Sequence, residues 1–123
     1  MNTFIAGLVL LCLLSLSTAL LQEGIIQCGT DTDWKKTGYD DRIRLNERQS
    51  ANNVKFPTAH RSIPGVVVDV SQLDSLQSQN LRYQLRISAI TKTGFSLSCV
   101  TWHKTHIFSL NVRWVSFDDR KTC

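Results

Sequence analysis

The chain has 123 residues with 14 basic and 10 acidic side chains, a formal charge of +4; that length suits one domain and is too short for two ordinary ones. Basic residues such as Lys35, Lys36, Arg42, Arg44, Arg48, Lys55, Arg82, Arg86, Lys104 and Arg113 are scattered among acids and apolars. A nucleic-acid binder gathers such residues into a stripe with aromatics between them, so no nucleic-acid partner is expected.

The chain opens with an apolar run from Phe4 to Leu16, broken by Gly7 and Ser15 and followed by the small residues Ser17, Thr18 and Ala19. This pattern predicts a secretory signal peptide over residues 1–19, although no Lys or Arg precedes the run. The run is shorter than the roughly 20 residues a bilayer span requires. No later stretch is as apolar, so the expectation is a secreted, extracellular protein without membrane insertion.

With Cys12 removed alongside the signal, Cys28, Cys99 and Cys123 remain. An odd count in an oxidising compartment means one pair and a leftover thiol, and three connectivities are open. Pairing Cys28 with Cys99 would pin the N-terminal segment to the core, contributing on the order of 4 kcal/mol by chain entropy. Cys123, in the polar tail 119–123, is then a candidate for a bond between subunits.

Residues 20–49 are polar and irregular, with a short strand expected at Ile25-Ile26-Gln27-Cys28 and Trp34 as a packing anchor. From Asn53, within an expected domain of residues 50–118, the pattern changes to period two. Val54 and Phe56 flank Lys55. Val66, Val68 and Val70 oppose Val67, Asp69 and Ser71. Leu81, Tyr83, Leu85, Ile87 and Ala89 form one face of the next run, followed by Phe95, Leu97 and Cys99. Phe108, Leu110, Val112 and Trp114 then oppose Ser109, Asn111 and Arg113. Turn signals at Pro57, Ile63-Pro64-Gly65, Asp74 to Asn80 and Lys92-Thr93-Gly94 separate these runs, and no segment has a helical repeat. The expected fold is all-β: a single-domain, disulfide-tied antiparallel β-sandwich of five or six strands.

Enzymatic signals are weak, and the protein is read as no enzyme and without metal or cofactor. His103 and His106 form an H-x-x-H, which on an extended strand points to opposite faces. Asp40-Asp41 and Asp118-Asp119 are adjacent carboxylates whose side chains diverge, so solvated loops are expected in place of a glycosidase pair. The segment Val100 to His106 stands out because Trp102 and His103 interrupt two patterned strands with polar neighbours. An aromatic ring at an exposed corner packs on the apolar face of a sugar, and a nearby Arg82 can fork hydrogen bonds to two hydroxyls. The alternative is that Trp102 is core and His103 decorates a loop.

The stretch from Asp69 to Arg82, together with Thr93-Gly94-Phe95, Ser98-Cys99, Thr101-Trp102-His103, Thr105 and Trp114, resembles the H-type lectin domain of snail albumen-gland agglutinins and of the discoidin C-terminal domain. The resemblance extends from Ile26 to about Phe117. It implies a six-stranded sandwich, a Cys28–Cys99 disulfide, and trimers or hexamers binding terminal GalNAc or Gal near subunit interfaces. Arg82, Trp102 and His103 would form the sugar site. The loop Ile43-Arg44-Leu45 would set specificity, and here it departs from the family: the best-known snail agglutinin carries Gly-Arg-Asp there, so Leu45 lacks the carboxylate that accepts from a sugar hydroxyl. Asp40 or Asp41 is a candidate replacement. The role implied is a multivalent agglutinin, of use in innate defence; the alternative is a structural or storage protein whose sugar site has decayed.

Overall fold

The computed structural model describes residues 19–118; residues 1–18 of the expected signal peptide, and Cys123 with its tail, lie outside them. Two antiparallel sheets face each other. One has the order β1-β7-β4, built from Leu21–Gln27 (β1), Gly65–Ser75 (β4) and Ile107–Phe117 (β7). The other has the order β2-β3-β6-β5, built from Lys35–Lys36 (β2), Arg48–Lys55 (β3), Tyr83–Ser88 (β5) and Gly94–Thr101 (β6). The expected sandwich is therefore present, with six full strands and a two-residue β2 as a seventh.

The alternation read from sequence carries the core. Leu97, Cys99, Leu110 and Val112 are fully buried, Phe95 and Trp114 nearly so, and Val66, Val68, Val70, Tyr83, Leu85 and Ile87 pack against them. Phe56, Phe95 and Trp114 meet with ring centroids 5.6 to 5.8 Å apart. Trp34 is buried, its indole N–H donating to the Cys28 carbonyl at 2.8 Å, and Cys28 is bonded to Cys99. Gly94 admits no side chain, because a Cβ there would stand 2.1 Å from the Val54 carbonyl oxygen.

Four expectations are corrected. The N-terminal strand begins at Leu21 and pairs along its whole length with β7, from Leu21 opposite Phe117 to Gln27 opposite Asn111. The period-two face of β5 fails at its ends: Leu81 is exposed, and Ala89 turns out of the strand at φ 52°. The turn expected from Asp74 is still strand, since Asp74 pairs with Ser109 and Ser75 with Ile107. That register skips Phe108, an extra residue that shifts the alternation. Ile107 therefore points inward and is fully buried, whereas Phe108 is exposed.

The fourth correction is Asp118, expected in solvent and found buried with His60 at the Phe117 end of β7. Thr58 N–H donates to Gln22 Oε1 at 2.8 Å, which fixes the orientation of the Gln22 amide. Gln22 Nε2 then donates to the Thr58 carbonyl and towards His60 Nε2, at 2.7 and 3.1 Å. With Nε2 an acceptor, also 2.8 Å from Ser116 Oγ, the proton resides on Nδ1 and is donated to Asp118 Oδ2 at 2.9 Å. Asp118 further accepts the Leu20 and Arg61 N–H groups, tying the residue before β1 and the loop after β3 to the end of β7.

Candidate functional site

The other end of β7 holds a cluster of loops. In residues 40–47, the Asp40 side chain accepts the Arg42 N–H at 2.9 Å, and its carbonyl accepts the N–H groups of Ile43 and Arg44. Such an Asx turn reverses the chain with local bonds. Asp41 Oδ1 accepts the Asn46 N–H at 3.1 Å, holding Asn46 at φ 55°. The loop therefore folds back over the four-stranded sheet. Val100, cross-strand from Gln84 and absent from the inter-sheet core, is fully buried on that outer face.

The fold-back brings the expected specificity loop onto the expected sugar-site residues. The Arg44 guanidinium carbon lies 3.9 Å from the centroid of the Trp102 ring, a cation–π contact. The Leu45 carbonyl accepts the His103 N–H at 2.7 Å. Ile43 and Leu45 themselves remain exposed. Arg44 Nη1 also donates to Glu47 and Gln84, at 3.2 and 3.1 Å. Glu47 is buried, and Arg86 and Thr37 donate to it as well. Burial pushes the Glu47 carboxyl up, but hydrogen bonds from Arg86, Thr37 and Arg44, with the Arg86 charge, outweigh it and hold the group below its ordinary value.

Residues 102–106 are not extended, so the strand argument separating His103 from His106 does not apply. His103 sits in the left-handed region at φ 63°, a conformation costing roughly 1–3 kcal/mol at a non-glycine residue. Arg48 holds it there. Its guanidinium donates to the carbonyls of Asn46, His103 and Thr105, and at 2.8 Å to Asp31 Oδ2. Asp31, itself buried, also accepts the Ile107 N–H and pairs with His106 Nδ1 at 3.3 Å. The His106 ring lies edge-on to Phe108, 4.5 Å between centroids. Charge-assisted bonds of this kind are worth about 1.5–3 kcal/mol each, enough to maintain the strained turn.

Arg82 joins through its backbone. Its N–H donates to Thr105 Oγ1 at 3.0 Å and its carbonyl accepts from Thr101 Oγ1, while Thr105 Oγ1 donates to the Asn80 carbonyl. The half-buried Arg82 guanidinium has no hydrogen-bond or ion-pair partner among the described residues, and no ring contact joins it to Trp102. All six expected residues thus lie in one loop cluster, with Arg44–Trp102 and Leu45–His103 in contact. Both suggested replacement acids are engaged, Asp40 by Arg42 and Asp41 by the Asn46 N–H. The sequence did not single out Arg48, Asp31 or Glu47, which lie in or beside the stretch that lacks periodicity; charged residues there look like solvated surface until the fold buries them.

Grooves of about 320 Å³ beside Trp34, 290 Å³ beside Gly94 and 450 Å³ between β1 and β3 lie elsewhere, and none of the three is lined by Arg82, Trp102 or His103. No group of three or more His, Cys, Asp or Glu is placed to hold a metal ion among the described residues, and no helix there is long and apolar enough to cross a membrane.

Comparison with known proteins follows the same lines. The native form of recombinant discoidin II of Dictyostelium discoideum aligns with a TM-score of 0.65 at 23% identity, over 85% of this chain and 38% of that one. Wild-type discoidin II aligns with a TM-score of 0.67 at 22% identity and the same coverage. The chain thus spans 38% of the length of these neighbours, and the likeness is one of fold. No curated protein matches the chain by sequence. The model of the H-type lectin domain matches residues 51–117, more than half of the chain, from β3 through β7. The chain belongs to the H-type lectin domain family.

Proposed function

We propose that the protein is a secreted carbohydrate-binding protein taking galactose-type sugars at the surface formed by Arg82, Trp102 and His103, bordered by Ile43, Arg44 and Leu45. One observation carries this reading: the 43–45 loop docks on Trp102 and His103, while Arg82, tied by its backbone to Thr101 and Thr105, has a guanidinium left without a partner among the described residues. A fork of donors beside a fixed aromatic suits a pyranose, whose vicinal hydroxyls accept from one guanidinium. Multivalency would supply avidity. Leu21, Ile25, Val67 and Phe117 form an exposed apolar patch on the outer face of the three-stranded sheet, a surface suited to self-association into trimers or hexamers. Matching several weak sites to a spaced target raises avidity roughly 100- to 10,000-fold. A role as an agglutinin in innate defence fits such an assembly.

The test is a glycan array with purified mature protein, with and without chelator. Binding to terminal Gal or GalNAc that survives chelator and is lost in Arg82→Ala supports the reading; binding that persists in Arg82→Ala refutes the site. A second reading, a structural or storage protein with a decayed sugar site, is favoured by Leu45 and by the engagement of Asp40 and Asp41. It predicts a blank array from a folded oligomer.

A further inference from the structure

The hydrogen-bond bookkeeping of this surface is lopsided. Many of its acceptors already hold a donor. The carbonyls of Leu45, Asn46, His103, Thr105 and Arg82 each receive an internal donor. Both Glu47 oxygens accept, Oε1 from Thr37 and Arg86 and Oε2 from Arg44 and Arg86, and Gln84 Oε1 accepts from Arg44 and Arg86. Asp31 is taken by Arg48, His106 and the Ile107 N–H. The donors are in surplus. Glu47 bears one charge against two guanidiniums, and neither Arg82 nor the exposed Lys104 has an acidic partner among the described residues. The half-buried His103 ring, whose neutral form offers one donor and one acceptor, has no hydrogen-bond partner among them.

A neutral sugar hydroxyl must both accept and donate, and here its proton finds few vacant acceptors. A sulfate ester or carboxylate only accepts, and its charge is complemented by the unpaired cations. From this we infer that the site selects an anionic sugar, a galactose-type residue carrying a sulfate or carboxylate held between Arg82, Lys104 and the His103 edge. The inference rests on the sugar-binding reading above and narrows its ligand class. The neighbouring residues fit: the Arg44–Glu47–Gln84 bonds fix the Trp102 side of the surface, leaving Arg82 to turn towards ligand.

The test is calorimetric titration of the mature protein at fixed pH with galactose, galactose 3-sulfate, galactose 6-sulfate, galacturonic acid and inorganic sulfate. At low salt an anionic sugar should bind at least about tenfold more tightly than galactose, the ratio shrinking as salt screens the charges. The sulfated and carboxylated arms identify which anion is preferred. Arg82→Gln should abolish the preference, and Leu45→Asp, which adds an acceptor at an exposed position, should shift it towards neutral galactose. Equal affinity for galactose and its charged forms overturns the inference and leaves sugar binding standing. Inorganic sulfate binding as tightly as the sulfated sugars also overturns it, since the surface would then be an anion site without sugar recognition. Failure of every sugar to bind, from folded protein, refutes the sugar-binding reading along with it.

Discussion

At the Phe117 end of β7, Ser116, His60 and Asp118 form a hydrogen-bonded chain closed by Gln22 and Thr58; at the Ile107 end, Arg48–Asp31 and Arg44–Glu47 form two ion pairs. The first has the composition of a catalytic triad, yet the His60 and Asp118 side chains are wholly shielded from solvent. It is a clasp. The Ile107 end is anchored on two buried carboxylates but opens onto solvent, where Arg82, His103 and Lys104 retain unspent donors. Residue type therefore does not separate a closed network from an open one in this molecule. Whether the donors and acceptors cancel inside the protein does.

Substitutions at the two ends should behave differently, and the largest effect belongs to the closed one. His60→Ala leaves a cavity against Phe56 and strips Asp118 and Ser116 of a buried partner, so stability should fall by about 3 kcal/mol. Thermal unfolding would register this, while sugar affinity measured well below the transition stays at the wild-type value; a parallel loss of affinity would mean that the ends are coupled. Next comes Arg48→Lys, which retains the charge beside Asp31 but not the fork that reaches the loop carbonyls. A stability loss of about 1–2 kcal/mol is expected, with sugar binding lost, because His103 is no longer held in its turn.

Glu47 gives the comparison a pH axis. Its folded carboxyl is held below the ordinary value of 4.5, so its stabilising contribution is complete above that pH and is lost as pH falls through the lower folded value. Glu47→Gln should flatten that acid limb of the stability curve, as followed by urea midpoints; an unchanged limb would show that other carboxyls govern it. The smallest effect is at His103. His103→Gly, which adopts φ 63° readily, should match wild-type stability to within about 1 kcal/mol, whereas His103→Ala should lie lower. If both bind sugar as well as wild type, the imidazole has no part in recognition and His103 serves through its backbone alone.

Much of the fold was legible. The alternation of Val66 to Val70, Tyr83 to Ile87 and Phe95 to Cys99 reports a buried face directly, because side chains on a strand point alternately to its two sides. It misled at Phe108, where one extra residue on β7 reverses the alternation, and a bulge leaves no trace in composition. The candidate site was legible in part: Trp102 and His103 interrupt a regular pattern with Arg82 at a neighbouring strand end, and resemblance supplied the 43–45 loop. Arg48 and Asp31 were not legible, since nothing in a polar stretch tells which charges the fold will bury.

The sequence by itself determined the class of structure and the faces of most strands, because period-two burial is written along the chain, and family resemblance singled out the Cys28–Cys99 tie from three open pairings. Only the tertiary structure decided that Asp118 is a buried clasp and not a solvated acid, that Asp40 and Asp41 are already engaged, and that the Arg82 carbonyl is taken while its guanidinium has no partner among the described residues. The reason is physical. Burial and hydrogen-bond saturation belong to groups that meet across the fold, as Arg48 meets Thr105 and His60 meets Asp118, and the sequence does not record those meetings.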